Sequence, residues 1–108
     1  MKRLSERDIE NQIREYLSLR WIVLKTDAGL VARGTKRPTG RMPVGTPDLI
    51  VLGRGLGWAI EVKRPDGKLA ARQLSELSRY DLNGVPAFVC RSLEDAVAAE
   101  KEVLAIGR

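Results

Sequence analysis

No stretch of this chain longer than four residues is wholly apolar, and the spacing of its apolar residues changes along the sequence. Such a chain can bury only one face of several short elements, and the period names each element. Ile9, Ile13, Tyr16 and Leu17 recur at helical spacing, and Ser5 with Asp8 three residues on forms a capping-box start. This predicts a helix over 6–18. Trp21 to Thr26 is β-branched and apolar and reads as a strand, as do residues 48–52 and 58–63. Gly53-Arg-Gly-Leu-Gly57 turns the chain between the latter two. A helix follows over 69–82, stopped by Asn83-Gly84. Pro86 to Arg91 reads as a fourth strand. Ser92, with Asp95 three residues on, caps a last helix running to about Ala105. The predicted order is α-β-β-β-α-β-α, one domain over 1–108. Residues 27–47 carry four glycines and no apolar period, and a loop of that length in a small domain is usually functional or mobile.

Composition limits the chemistry. The chain has no histidine and one cysteine, Cys90. Ser-His-Asp and Cys-His catalysis are excluded, as is any zinc site built from His and Cys. A metal would have to be held by carboxylates, carbonyl oxygens and water, which suits hard cations such as Mg²⁺ or Mn²⁺. Lys plus Arg exceed Asp plus Glu by 19 to 14, a formal charge of +5 that suits a polyanionic partner without requiring one. A lone cysteine favours a reducing compartment. No signal peptide and no membrane-spanning run is visible, so a cytoplasmic location is expected.

Within this frame, Glu61 and Lys63 project from one strand face and Ile60 and Val62 from the other. Asp48 opens the preceding strand, and a hairpin between the two strands would bring it beside Glu61. Crowded carboxylates are costly unless a cation joins them. The bare pattern of an Asp followed by Glu-x-Lys arises often by chance, and the bland alternative is an ion pair between Glu61 and Lys63 on a solvated face. The setting weighs against that alternative: Gly45-Thr46-Pro47 fixes the entry to the strand, and Glu61 lies inside an otherwise apolar run. The glycines at 53, 55 and 57 are not a phosphate cradle, because no helix follows them.

The combined string is more specific than the triad. Gly45-Thr-Pro-Asp48, Ala59-Ile-Glu-Val-Lys-Arg-Pro65, Gly67-Lys-Leu and Gln73 together resemble the VRR-NUC family of the PD-(D/E)xK nuclease superfamily, over about Ser5 to Ala96. A glycine commonly precedes the first strand in such proteins; here Arg20 stands there. The resemblance implies an α/β, restriction-endonuclease-like fold with a central mixed four-stranded sheet flanked by helices. It implies metal binding by Asp48, Glu61 and the backbone carbonyl of Val62, with Lys63 positioning the attacking water or steadying phosphate charge. Metal-assisted hydrolysis supplies what phosphodiester cleavage needs in a chain without histidine.

Other candidates surround this centre. At about 100° per residue from Ile9, Glu6 and Glu10 fall near 60° and 100°, toward the apolar stripe. The family's early glutamate after Ser or Thr matches Glu6 as a further catalytic and metal-binding residue. Glu10 competes with it, and the helix dipole alone also accounts for acids there. Gln73 matches the family's glutamine, which implies a further catalytic residue orienting a metal water or a phosphate, and it shares a helix face with Tyr80; an exposed surface amide is the other reading. Lys68 and Arg72 are candidate DNA contacts. Arg33, Lys36, Arg37 and Arg41, in the long loop, would either clamp phosphates or simply be solvated. The expected activity is Mg²⁺-dependent cleavage of branched DNA by a homodimer, with four-way (Holliday) junctions the preferred substrate. Flap, fork or general duplex cleavage is the enzymatic alternative. A catalytically silent DNA-binding module is the other.

Overall fold

The computed structural model describes residues 3–27 and 42–106. Arg33, Lys36, Arg37 and Arg41 lie outside them. The element order is α1 Glu6–Leu17, β1 Ile22–Lys25, β2 Leu49–Gly53, β3 Leu56–Val62, α2 Ala71–Leu82, β4 Ala87–Cys90 and α3 Leu93–Ile106. This is the order that the sequence predicts. Ser5 caps α1 reciprocally: its Oγ accepts from the Asp8 amide at 3.1 Å, and the Asp8 carboxylate accepts from the Ser5 amide at 3.1 Å. No helix among the described residues is long and apolar enough to cross a membrane.

The strands form one mixed sheet in the order β1-β2-β3-β4. β1–β2 and β2–β3 are antiparallel, and β3–β4 is parallel. Parallel pairing requires a crossover, which α2 provides. β3 starts at Leu56, two residues before the expected Trp58, because the hairpin turn is tighter than the glycine pattern implies. Arg54 and Gly55 take φ of 56° and 73°, the two-residue turn whose twist matches that of the flanking strands. Leu56 and Gly57 therefore pair with Gly53 and Leu52.

Alternation along β2 and β3 sorts the side chains. Leu49, Val51, Trp58, Ile60 and Val62 join Ile9, Ile13 and Leu17 of α1 and Ala96, Ala99 and Val103 of α3 in one core. Trp58 stands at its centre, edge-on to Trp21 at 5.5 Å and to Phe88 at 5.9 Å. The opposite face carries Glu61, which meets Gln73 of α2.

A second anchor joins the helices to the sheet. Glu100 of α3 is buried and accepts hydrogen bonds from Trp21 Nε1 at 2.7 Å, Tyr16 Oη at 2.9 Å and Arg20 Nη2 at 2.9 Å. Burial alone would push the Glu100 carboxyl up, but the hydrogen bonds from Arg20, Trp21 and Tyr16 outweigh it and hold it below its ordinary value. Arg20, which directly precedes Trp21, thus has a buried partner in Glu100.

The helical wheel puts both Glu6 and Glu10 toward the buried side; only Glu10 is half-buried, and Glu6 is exposed. Glu6 is the first residue of the helix, ahead of Ile9, where burial begins.

Candidate active site

Leu49 pairs with Ile60, and carrying that register one residue further sets Asp48 opposite Glu61. The loop before β2 holds Asp48 at this position. Thr46 is buried and its Oγ1 donates to the Pro43 carbonyl at 2.6 Å, while Thr26 Oγ1 donates to the Pro47 carbonyl at 2.7 Å. Gly45 has φ of +90°, and a Cβ there would lie 2.8 Å from the Arg72 carbonyl oxygen. The loop is thereby seated against the start of α2, which only glycine permits. Asp48 itself is half-buried, and its Oδ2 accepts the Val62 amide at 2.8 Å.

Glu61 is only 3% exposed. Its Oε2 accepts from Gln73 Nε2 at 2.8 Å, and Gln73 Oε1 in turn accepts the Ala70 amide at 2.8 Å. Gln73 therefore does two jobs: it satisfies an otherwise orphaned donor at the start of α2 and orients the buried carboxylate. Because Ala70 has no side-chain oxygen to offer, the cap comes from Gln73 instead, and α2 begins at Ala71 rather than Leu69.

The two carboxyls strain one another. Burial, then the charge of Asp48, pushes Glu61 up to about 8, against the opposing charge of Lys63. Asp48 is raised too, mainly by burial, with the Val62 amide pulling it back. Glu10 and Glu6 push Asp48 further up, and Glu6 also acts on Glu61. Lys63, half-buried, is near enough to lower both acids and forms no ion pair among the described residues.

Both acids of α1 thus face the pair electrostatically, but they differ in their commitments. Glu10 binds Lys25 at 3.2 Å and Arg14 at 3.9 Å. Glu6 has no ion pair among the described residues. Lys68 and Arg72 are exposed, and Tyr80 is half-buried. The sequence pattern does not single out Arg91, whose guanidinium reaches the turn after Lys63, or Glu100, whose partners come from α1 and the residues that follow it. Both contacts span long sequence separations that no local period reveals.

The donor set fits a hard divalent cation. Among the described residues no three carboxylate or cysteine side chains gather into a metal cage, so neither Glu6 nor Glu10 closes a ring with Asp48 and Glu61. Mg²⁺ keeps several waters and is usually held by one or two carboxylates together with phosphate oxygens. Asp48 and Glu61 each spend one oxygen on a protein donor, Val62 or Gln73, and keep a second. A cation between them would also relieve the repulsion that raises both pKa values.

Solved structures resemble this fold. One, described as a VRR_NUC domain, superposes with a TM-score of 0.68 at 24% identity, covering 91% of this chain and 97% of that one. A second, described as a VRR_NUC domain protein, gives a TM-score of 0.70 at 16% identity, over 99% of this chain and 93% of that one. The likeness establishes the restriction-endonuclease-like fold. No protein-family model matches the chain, and no curated protein matches it by sequence.

Proposed function

We propose that this chain is a VRR-NUC family nuclease that hydrolyses DNA phosphodiester bonds with Mg²⁺, and that as a homodimer it resolves four-way junctions. The observation that carries the reading is the meeting of Asp48 and Glu61 across the β2–β3 hairpin, with Lys63 two residues beyond Glu61, just past the end of β3. DNA binding alone has no use for two crowded acids, one buried and one half-buried, facing a polyanion. Two domains described as VRR_NUC share the fold that creates this pair.

In this reading Asp48, Glu61 and the Val62 carbonyl hold the cation. The bound cation supplies charge neutralisation at the phosphoryl group and a more acidic water. Gln73 keeps Glu61 in its binding orientation, as partners of metal-binding carboxylates do. Lys63 steadies the water or the phosphate as negative charge develops. Glu6, rather than the ion-paired Glu10, is the helix carboxylate left to orient solvent at the rim. Lys68 and Arg72 contact the phosphate backbone. A two-fold dimer presents two such centres, which suits a substrate cut on two strands.

The test is cleavage of labelled four-way junction, flap and linear duplex DNA in Mg²⁺ and in Mn²⁺, with Asp48→Asn and Glu61→Gln alongside. Paired cuts in the junction, lost in both variants, support the proposal. Equal cutting of linear duplex sinks the resolvase assignment, and preferred cutting of flaps redirects it. Tight junction binding without cleavage in either metal makes the chain a binding module.

A further inference from the structure

We infer that Arg91 is a positioning residue for Lys63, an inference that rests on the nuclease reading above. Lys63 is the last residue bonded to β4, its amide donating to the Cys90 carbonyl at 3.1 Å. Immediately beyond it, Arg64-Pro65-Asp66-Gly67 folds into a turn closed by the Gly67 amide on the Arg64 carbonyl at 2.9 Å. Proline presets the turn, but Arg64, Pro65 and Asp66 are all exposed. The side-chain ion pairs of this turn, Arg3–Asp66 at 2.8 Å and Arg64–Asp66 at 3.7 Å, are solvent-facing and weak holds.

Arg91 provides a firmer one. It directly follows Cys90 at the end of β4, and its Nη1 donates to the carbonyls of Arg64 and Gly67, each at 2.7 Å. These are the two ends of the turn, so one guanidinium nitrogen ties both. Its own amide is fixed by Asp95 Oδ2 at 2.8 Å, which anchors the arginine to the start of α3. The turn matters to Lys63 because the lysine stem runs alongside it: a Cβ built at Gly67 would sit 3.5 Å from Lys63 Cδ, in van der Waals range. A lysine ammonium rides on a flexible four-carbon stem, and its aim depends on what the stem packs against. Arg91 fixes that surface, and through it the direction of the amine.

The experiment compares the full chain with Arg91→Gln, Lys63→Ala and the double variant. Amide hydrogen exchange is read at Gly67, single-turnover junction cleavage in Mg²⁺, and junction affinity in Ca²⁺. Arg91→Gln is expected to speed exchange at Gly67 by about tenfold while amides in the β2–β3 pairing keep their protection. Cleavage should fall by about 10- to 100-fold with affinity held within about twofold. In the Lys63→Ala background the same change should cost less than about twofold, because the two residues act through one amine. Arg91→Lys, which keeps the charge and one donor to the turn, should recover part of the rate and guards against a folding defect in the glutamine variant. Three results overturn the inference: unchanged exchange at Gly67, equal losses in the wild-type and Lys63→Ala backgrounds, or a loss of affinity as large as the loss of rate, which would mark a direct phosphate contact. A wild-type protein that cuts nothing ends the nuclease reading instead, and Gly67 exchange then decides whether Arg91 holds the turn.

Discussion

The Val62 amide donates to Asp48 Oδ2 at 2.8 Å, so one acid of the pair is pinned to the strand that carries the other. Asp48→Asn keeps an oxygen to accept this bond and removes the charge together with the second acceptor oxygen. The variant is expected to fold as the parent does, with equal or greater thermal stability, because a raised carboxylate has been neutralised. Cleavage should drop by about 10³-fold, the scale of losing several kcal/mol of charge stabilisation. Calorimetry and a cleavage time course read the two effects separately. A large loss of stability would mean that Asp48 serves the hairpin rather than the cation.

Gln73 connects the start of α2 to Glu61 through two bonds of 2.8 Å. Truncation to alanine should therefore have two separable costs. The lost cap is worth about 1 kcal/mol of stability. Freeing Glu61 from its partner should weaken Mg²⁺ binding by about 10- to 100-fold. Titration calorimetry with Mg²⁺ checks the second figure, and unaltered metal affinity would reduce Gln73 to a helix cap.

The raised Glu61 carboxyl makes stability depend on pH in a stated direction. The group titrates near 8 when folded, against an ordinary value of 4.5. Between those values the folded chain holds a proton that the unfolded chain has released, so stability falls as pH rises. Metal-free protein should show a falling melting temperature across about pH 4.5 to 8, and Glu61→Gln should flatten that slope. Mg²⁺ bound at Glu61 would have to displace the proton, so any stabilising effect of the ion should be larger at pH 8 than at pH 6. A metal-free profile that is flat across this range would contradict the crowding of the two acids.

The elements were legible in the sequence because each follows its own period, and the exceptions have local causes. Ile9, Ile13 and Leu17 mark α1 directly, and all three enter the core. The pairing of Asp48 with Glu61 was partly legible: alternation fixes the face of Glu61, but the register depends on the turn. Arg54 at φ of 56° is a conformation that a non-glycine residue seldom advertises, so the sequence pattern starts β3 at Trp58, two residues later than the structure does. The opposite problem arises at α1, where the wheel treats Glu6 and Glu10 alike and only tertiary contact separates them. Glu10 finds Lys25 on β1, while Glu6 precedes the buried stripe. Glu100 was illegible for a stronger reason: its partners Tyr16, Arg20 and Trp21 stand about 80 residues away, and nothing in the period of α3 requires them.

Gly45 tests whether the seating of the pre-strand loop matters to the site. With φ of +90° and the Arg72 carbonyl oxygen 2.8 Å from any added Cβ, alanine there meets backbone on one side and strain on the other. Backbone cannot yield as a side-chain tip would, so the loop must lift from α2 and carry Pro47 and Asp48 with it. Gly45→Ala is expected to cost about 2–4 kcal/mol, from strain and overpacking together. It should also slow cleavage at temperatures where the variant is fully folded. Gly55→Ala is the matched control, since Gly55 shares a positive φ of +73° but has open space around it. That variant should lose only about 1 kcal/mol and cut at the parental rate. Urea denaturation gives the stabilities, and single-turnover cleavage gives the rates. If the two alanines behave alike, the contact with Arg72 does not set the position of Asp48, and the loop is a spacer whose seating the chemistry does not need.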